Sequence, residues 1–360
     1  MPVSTDSLTA KLLRALQIAA LALLACVLAH YAAFGGPMQF VLWPAAALAL
    51  AFGWLYSPIW AIPAAIGAGL WAYAHTSNIV MASGAIAASG LGPMLMVWLL
   101  IELGRRKPVE FRIDALLRFT LLAVLVCAPI DALLVAATLA IDSAADATQF
   151  THWFAAWWLL DSVGLLLVVP ATLSLWRQPS PSIRTRVAPA LHLPSVIATL
   201  MIVLVTLQMS NMAQPKIGEL ALLLYLPVIL LASLRLAERT LSLTLPITGA
   251  IILCTGSFLA ANTPNGSLDI AAALLTLFCT QLALFVQAIS ADRRQALAKV
   301  SDHVRQDFTT GLLNDRGLLT ELARQMSLPS RVHQGLIGIH ITNFDTIHDL
   351  CGPIQAHALE

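Results

Sequence analysis

Two aspartates stand inside hydrophobic runs where charge is costly. Asp161 interrupts WWLLDSVGLLLVVP (157–170), and Asp131 follows Pro129 in another apolar run. A carboxylate at the centre of a membrane helix costs about 2.5–3.5 kcal/mol on insertion scales, so intramembrane carboxylates are by default functional-site candidates. At 1.5 Å per residue, Asp131 and Asp161 each fall about 14 Å below the outer ends of their runs. At one depth on antiparallel neighbours, the two can face one cavity, where both cannot easily ionise. The bland alternative is hydrogen bonding between helices. His30, His75 and His152 cluster toward the outer side, as do Trp43, Trp71, Trp153, Trp157 and Trp158. Singly, each histidine reads as solvated or satisfied, and no close ligand spacing suggests a metal. The tryptophans suit an interfacial belt. With the aspartates, Trp43, Trp157, Trp158, His75 and His152 form the candidate lining of a ligand-binding or gating cavity. A cationic or hydroxylated small molecule suits carboxylates and aromatic faces. No catalytic residue, metal or cofactor is assigned.

The elements that must position these groups are membrane helices. The chain has 360 residues, 59% hydrophobic and 11% charged, against about 25% charged in a soluble domain. Apolar runs predict ten spans: 13–32, 38–56, 58–74, 79–103, 115–141, 152–176, 193–213, 220–236, 241–261 and 268–290. Only "SP" divides the second from the third, which reads as a tightly kinked or re-entrant pair. The opening KLLRALQIAALALLAC has signal-peptide features. Another span follows at once and no A-x-A-like site is evident, so it reads as a retained first span. With Lys11 and Arg14 in the cytoplasm, the even loops (GRRKPVEFRIDALLR, RQPSPSIRTR, RLAER, DRR) are basic and the odd ones are poor in Lys and Arg, Lys216 excepted. By the positive-inside rule this gives an even count and two cytoplasmic termini. The five cysteines form no CxxC pair and read as reduced structural residues. From Ala291 the chain turns polar. Leu297, Val300, Val304 and Phe308 recur at helical spacing, a stripe suited to a solvated helix with one sticky face or to a dimeric signalling linker. The expected fold is therefore an all-α polytopic membrane protein with a short C-terminal stub. Its parts are a membrane domain (1–290), a linker helix (291–306) and a terminal segment (307–360).

Two stretches carry a family resemblance. VLWPAAALALAFGW (41–54) with AIPAAIGAGLWAY after it, and WWLLDSVGLLLVVP, resemble the signatures of the membrane-associated sensor family MASE, type one. Trp43, Pro44, Asp161, Gly164 and Pro170 are the matching positions. The resemblance implies a bacterial inner-membrane sensory domain of about eight or more spans, commonly fused to cyclic di-GMP signalling domains or histidine kinases, and commonly dimeric. The tail DFTTGLLNDRGLLTEL (307–322) resembles the opening of a GGDEF diguanylate cyclase domain at Asp307, Thr310, Gly311, Leu312 and Asn314. GLIGIHITNFDTIHDLCG (335–352) is similar to its first strand, Gly335–Ile341, and second helix, with Phe344, Ile347, Asp349 and Gly352 holding the frame. This implies an α/β stub. The positions that carry the family's chemistry differ: His340 and Thr342 replace aspartates, Asp345 a lysine, and His348 and His357 the guanine contacts. Phosphoryl transfer needs carboxylate-held divalent metal. No enzymatic activity is expected of this chain, and the tail reads as a piece of a longer, degenerate domain.

The function expected is sensory. A small molecule enters a periplasm-facing cavity, shifts helix packing, and the linker helix relays the shift to a cytoplasmic signalling domain or partner. The expected partners are the lipid bilayer and a second copy of the chain, not nucleic acid. The alternatives are a proton-coupled transporter, which the ten spans and two carboxylates would suit, and a cyclase or phosphodiesterase regulator within a longer chain. No internal repeat joins the first five spans to the last five.

Overall fold

The computed structural model describes residues 7–32, 42–102, 113–143, 147–176, 192–211, 223–236, 238–262, 268–305, 307 and 312–326. Every element among them is helical. In chain order they are α1 (Leu8–Tyr31), α2 (Pro44–Leu55), a 3₁₀ turn (Pro58–Trp60), α3 (Ala61–Thr76), α4 (Ile79–Glu102), α5 (Ile113–Leu122), a π-helical segment (Ala123–Cys127), α6 (Ala128–Ser143) and α7 (Ala147–Trp176). Then come α8 (His192–Asn211), α9 (Tyr225–Arg235), α10 (Glu238–Asn262), α11 (Leu268–Arg305) and α12 (Asp315–Met326). The chain divides into two compact units, Met1–Ser290 and Ala291–Glu360.

The ten apolar runs all hold helix, but among the described residues six helical stretches are long and apolar enough to cross a membrane. They are Leu8–Tyr31, Ile79–Glu102, Ile113–Ser143, Ala147–Trp176, Arg239–Phe258 and Ala272–Arg293. The count of ten full spans is corrected to that extent. The second run is the clearest case. Its helix α2 has 12 residues, about 18 Å, against a hydrocarbon core of about 30 Å. Pro44 to Trp54 are all buried, so α2 is enclosed by protein, and a helix so enclosed need not span the lipid by itself. The expected strand at Gly335–Ile341 and the basic loops at 103–112 and 177–191 lie outside the described residues. Among the described residues there is no strand, and the terminal segment shows only the helix Asp315–Met326. Leu297, Val300 and Val304 fall within α11, while Phe308 lies outside the described residues.

Small side chains set the packing. Ala45, Ala46, Ala47, Ala49 and Ala51 on α2 and Ala61, Ala64 and Ala68 on α3 are fully buried, which lets backbones approach closely where lipid gives no hydrophobic push. Large apolar residues face outward on α1: Leu12, Leu16, Leu24 and Leu28 are exposed, as a lipid-facing helix requires. In its most apolar window α7 is 72% buried against 22% for α1, so α7 is the central post. It packs on α2, α6 and α10. One end of α1 lays Arg14 over the rings of Tyr56 and Trp60, 4.9 and 5.6 Å from their centroids. The other end sets His30 against His75 at the close of α3. Helices α1 and α3 therefore run parallel, with α2 returning between those ends.

Candidate functional site

The site begins with a break in a helix. In the π-helical segment the N–H of Ala128 reaches back to Ala123 O, one residue beyond its α-helical partner, Val124 O. The next residue is Pro129, which has no N–H to offer. Val124 O is thus deprived of both backbone donors. Trp158 on α7 supplies one, its indole Nε1–H donating to Val124 O at 2.7 Å. The bulge and the tryptophan explain each other, since a carbonyl left unpaired in an apolar interior is costly. π-bulges recur at functional sites.

The segment ends on Cys127, and Asp131 follows one turn later, so both side chains lie on one face. Asp131 is 2% and Asp161 1% exposed. Cys127 Sγ donates to Asp131 Oδ2 at 3.6 Å. One donor atom from each of Cys127, Asp131 and Asp161 lies within 4.8 Å of the others. Asp131 Oδ1 and both carboxyl oxygens of Asp161 accept no hydrogen bond from any other N–H or O–H group. Two glycines make the approach possible. A Cβ on Gly92 of α4 would strike the Asp131 carboxyl, and one on Gly164 of α7 would stand 2.5 Å from Trp43 O. Gly164 therefore admits the start of α2 beside α7, one turn from Asp161.

Beside this cluster a cavity of about 270 Å³ opens between α3, α4, α6 and α7. Its walls include Trp43, His75, His152 and Trp157, together with Trp71 and Trp153. The rings of Trp43 and Trp71 stand 6.1 Å apart and those of Trp43 and Trp157 5.2 Å, both edge-to-face, and His75 stacks on Trp71 at 5.1 Å. Trp43 Nε1 donates to Ser89 Oγ of α4 at 3.0 Å, which fixes its ring. The aspartates do not line this cavity. Val135 and Leu160 do, and Asp131 lies one turn from Val135 while Asp161 directly follows Leu160. Where the aspartates are expected in the lining stand Val135 and Leu160, with the carboxyls behind them. Trp158 faces elsewhere, toward a second hollow of about 360 Å³ with Val124, Ser162 and Leu274, which His152 also borders. The indole bond to Val124 O turns Trp158 away from the wall that holds Trp157.

The structure thus brings Trp43, His75, His152 and Trp157 together and sets Asp131 against Asp161. Sequence reading missed Cys127, Gly92 and Ser89. The i, i+4 spacing of Cys127 and Asp131 is the available signal, and the apolar run around Cys127 masks it.

An all-helical apolar bundle with six helices of membrane-crossing length among the described residues points to a membrane protein, and the buried carboxyl pair, the pinned π-bulge and the aromatic cavity are its candidate site. The sequence profile of the MASE1 family matches residues 14–294. The chain belongs to the MASE1 family, a family of membrane-associated sensor domains. Neither a curated protein nor a solved structure matches it.

Proposed function

We propose that this protein is a bacterial inner-membrane sensor that binds a small molecule in the cavity walled by Trp43, Trp71, Trp157 and His75. The observation that carries this reading is the cavity itself. Its edge-to-face rings are held by the Trp43–Ser89 bond, beside helices α2 and α3 that pack through fully buried alanines. A pocket with aromatic walls and few polar groups is the usual form of a small-ligand site, and ring faces favour a cationic headgroup. In this reading all ten helical segments belong to the membrane part, both termini are cytoplasmic, and the cavity opens to the periplasm. Ligand shifts the packing of α6 and α7, and α11, a single helix over Leu268–Arg305, relays the shift to a cytoplasmic output of the cyclic di-GMP type, with Leu297, Val300, Val304 and Phe308 as the stripe of a homodimer. Differential affinity for two packings is all the physics this needs.

The test is a thermal-shift and tryptophan-fluorescence screen of the purified full chain against quaternary ammonium compounds and neutral polyols. At 100 times its Kd a ligand stabilises by about 2.7 kcal/mol. At least one compound should raise the Tm of the wild type and not that of Trp157→Ala. If no compound moves either signal, or Trp157→Ala responds like the wild type, the cavity is not the sensory site.

A further inference from the structure

We propose that Cys127, Asp131 and Asp161 form a binding site for a divalent transition-metal ion of the zinc class, buried beneath the aromatic cavity and independent of what the cavity binds. The two aspartates alone would not carry this. Their unpartnered oxygens and the thiol do. Three carboxyl oxygens, Asp131 Oδ1 and both of Asp161, are buried without a hydrogen-bond donor. A proton shared between the two carboxyls satisfies Asp131 Oδ1 and one oxygen of Asp161. The second Asp161 oxygen is left bare in an apolar interior, where such a group is expensive. A dication set among the carboxyls satisfies all three and removes the repulsion between them.

The sulfur decides the class of ion. Magnesium and calcium take oxygen donors, whereas a set of one sulfur and two carboxylates suits zinc and its neighbours. The spacing agrees. Zn–S of about 2.3 Å and Zn–O of about 2.1 Å at a tetrahedral angle place sulfur and oxygen about 3.6 Å apart. Cys127 Sγ and Asp131 Oδ2 are 3.6 Å apart, and an Asp161 carboxyl oxygen lies within 4.8 Å of the sulfur and of an Asp131 carboxyl oxygen. Closing that gap asks for a side-chain adjustment of about 1 Å, with the helices left in place. Three protein donors leave one tetrahedral position open, the arrangement of a site that exchanges a water or ligand. The π-helical segment aims the site, because it turns Cys127 and Asp131 to the α7 side of their helix and Trp158 holds it there. Gly92 supplies the space for the Asp131 carboxyl. Binding the ion expels the protons of the thiol and of the carboxyl pair, so affinity falls as the medium becomes acid.

Cobalt(II) is the probe, since a thiolate bound to it gives a near-ultraviolet charge-transfer band. Chain purified in detergent without a histidine tag, carrying Cys351→Ser and stripped with chelator, is titrated with Co²⁺. One ion per chain, a thiolate band and its displacement by Zn²⁺ are expected. Cys127→Ser should abolish the band. Asp161→Asn should weaken Co²⁺ binding on the order of 100-fold or more, and it should stay folded because the new amide donates to the bare Asp131 oxygen. His75→Ala, in the cavity wall, should bind Co²⁺ like the parent. No band in a folded parent, a band that survives Cys127→Ser, or a loss confined to His75→Ala would each overturn the assignment.

Discussion

At the scale of single residues, the site is built as much by what is missing as by what is present. Gly92 has no side chain where Asp131 needs room, and any Cβ there meets the carboxyl. Gly92→Ala should therefore destabilise the chain by about 1–3 kcal/mol, as overpacking does. Removing the carboxyl removes the collision, so the same substitution should cost much less in an Asp131→Ala background. The coupling from such a double-mutant cycle, read from thermal or denaturant unfolding in one detergent, should exceed about 1 kcal/mol. Additive costs would mean that the carboxyl turns away freely and that Gly92 serves helix packing alone. The depth of the two aspartates was legible by counting, because helical rise converts sequence position into height. Their partner Cys127 was not, because a cysteine in an apolar run has the same sequence signature whether it packs or binds.

At the scale of elements, the π-helical segment is the joint on which the site turns. Its existence follows from two local facts: Ala128 bonds to Ala123 O, and Pro129 offers no donor. Val124 O then depends on Trp158. Trp158→Phe should cost about 1–3 kcal/mol, the penalty for an unpaired buried carbonyl. Pro129→Ala restores a backbone N–H next to the bulge, so it should recover part of that loss when combined with Trp158→Phe. Unfolding midpoints of the two single variants and the double variant decide it. No recovery would place the value of Trp158 in its ring contacts instead. Proline signals a break in a helix, yet a break does not reveal its repair from a neighbouring helix. That is why the sequence groups Trp158 with Trp157 at the cavity. The indole bond turns it to another face.

At the scale of the molecule, hydropathy located the helical segments up to Ser290 among the described residues but could not say which ones traverse lipid. It reads composition, and α2 is as apolar as a span while being 12 residues long and enclosed by protein. The cavity's position between α3, α4, α6 and α7 is a matter of which helices neighbour one another, which periodicity does not encode. Contacts in the structure fix which helix ends lie together. His30 meets His75, Arg14 covers Tyr56 and Trp60, and Asn78 donates to Asp142 at 2.5 Å. Thr76 and Ser143 therefore share one end of the bundle, and Ser57 lies at the other. If the basic loops face the cytoplasm, single cysteines at Thr76 and Ser143 should react with a membrane-impermeant maleimide in spheroplasts. Cysteines at Ser57 and Arg305 should react only after permeabilisation. The outcome separates two molecules with the same helices. Labelling of Ser57 from outside would mean that α2 and α3 do not return to the cytoplasmic face. Labelling of Arg305 from outside would mean an odd number of crossings and an output helix on the wrong side for any cytoplasmic partner. The pattern as expected fixes the aromatic cavity at the periplasmic end, where a ligand can reach it without crossing the membrane.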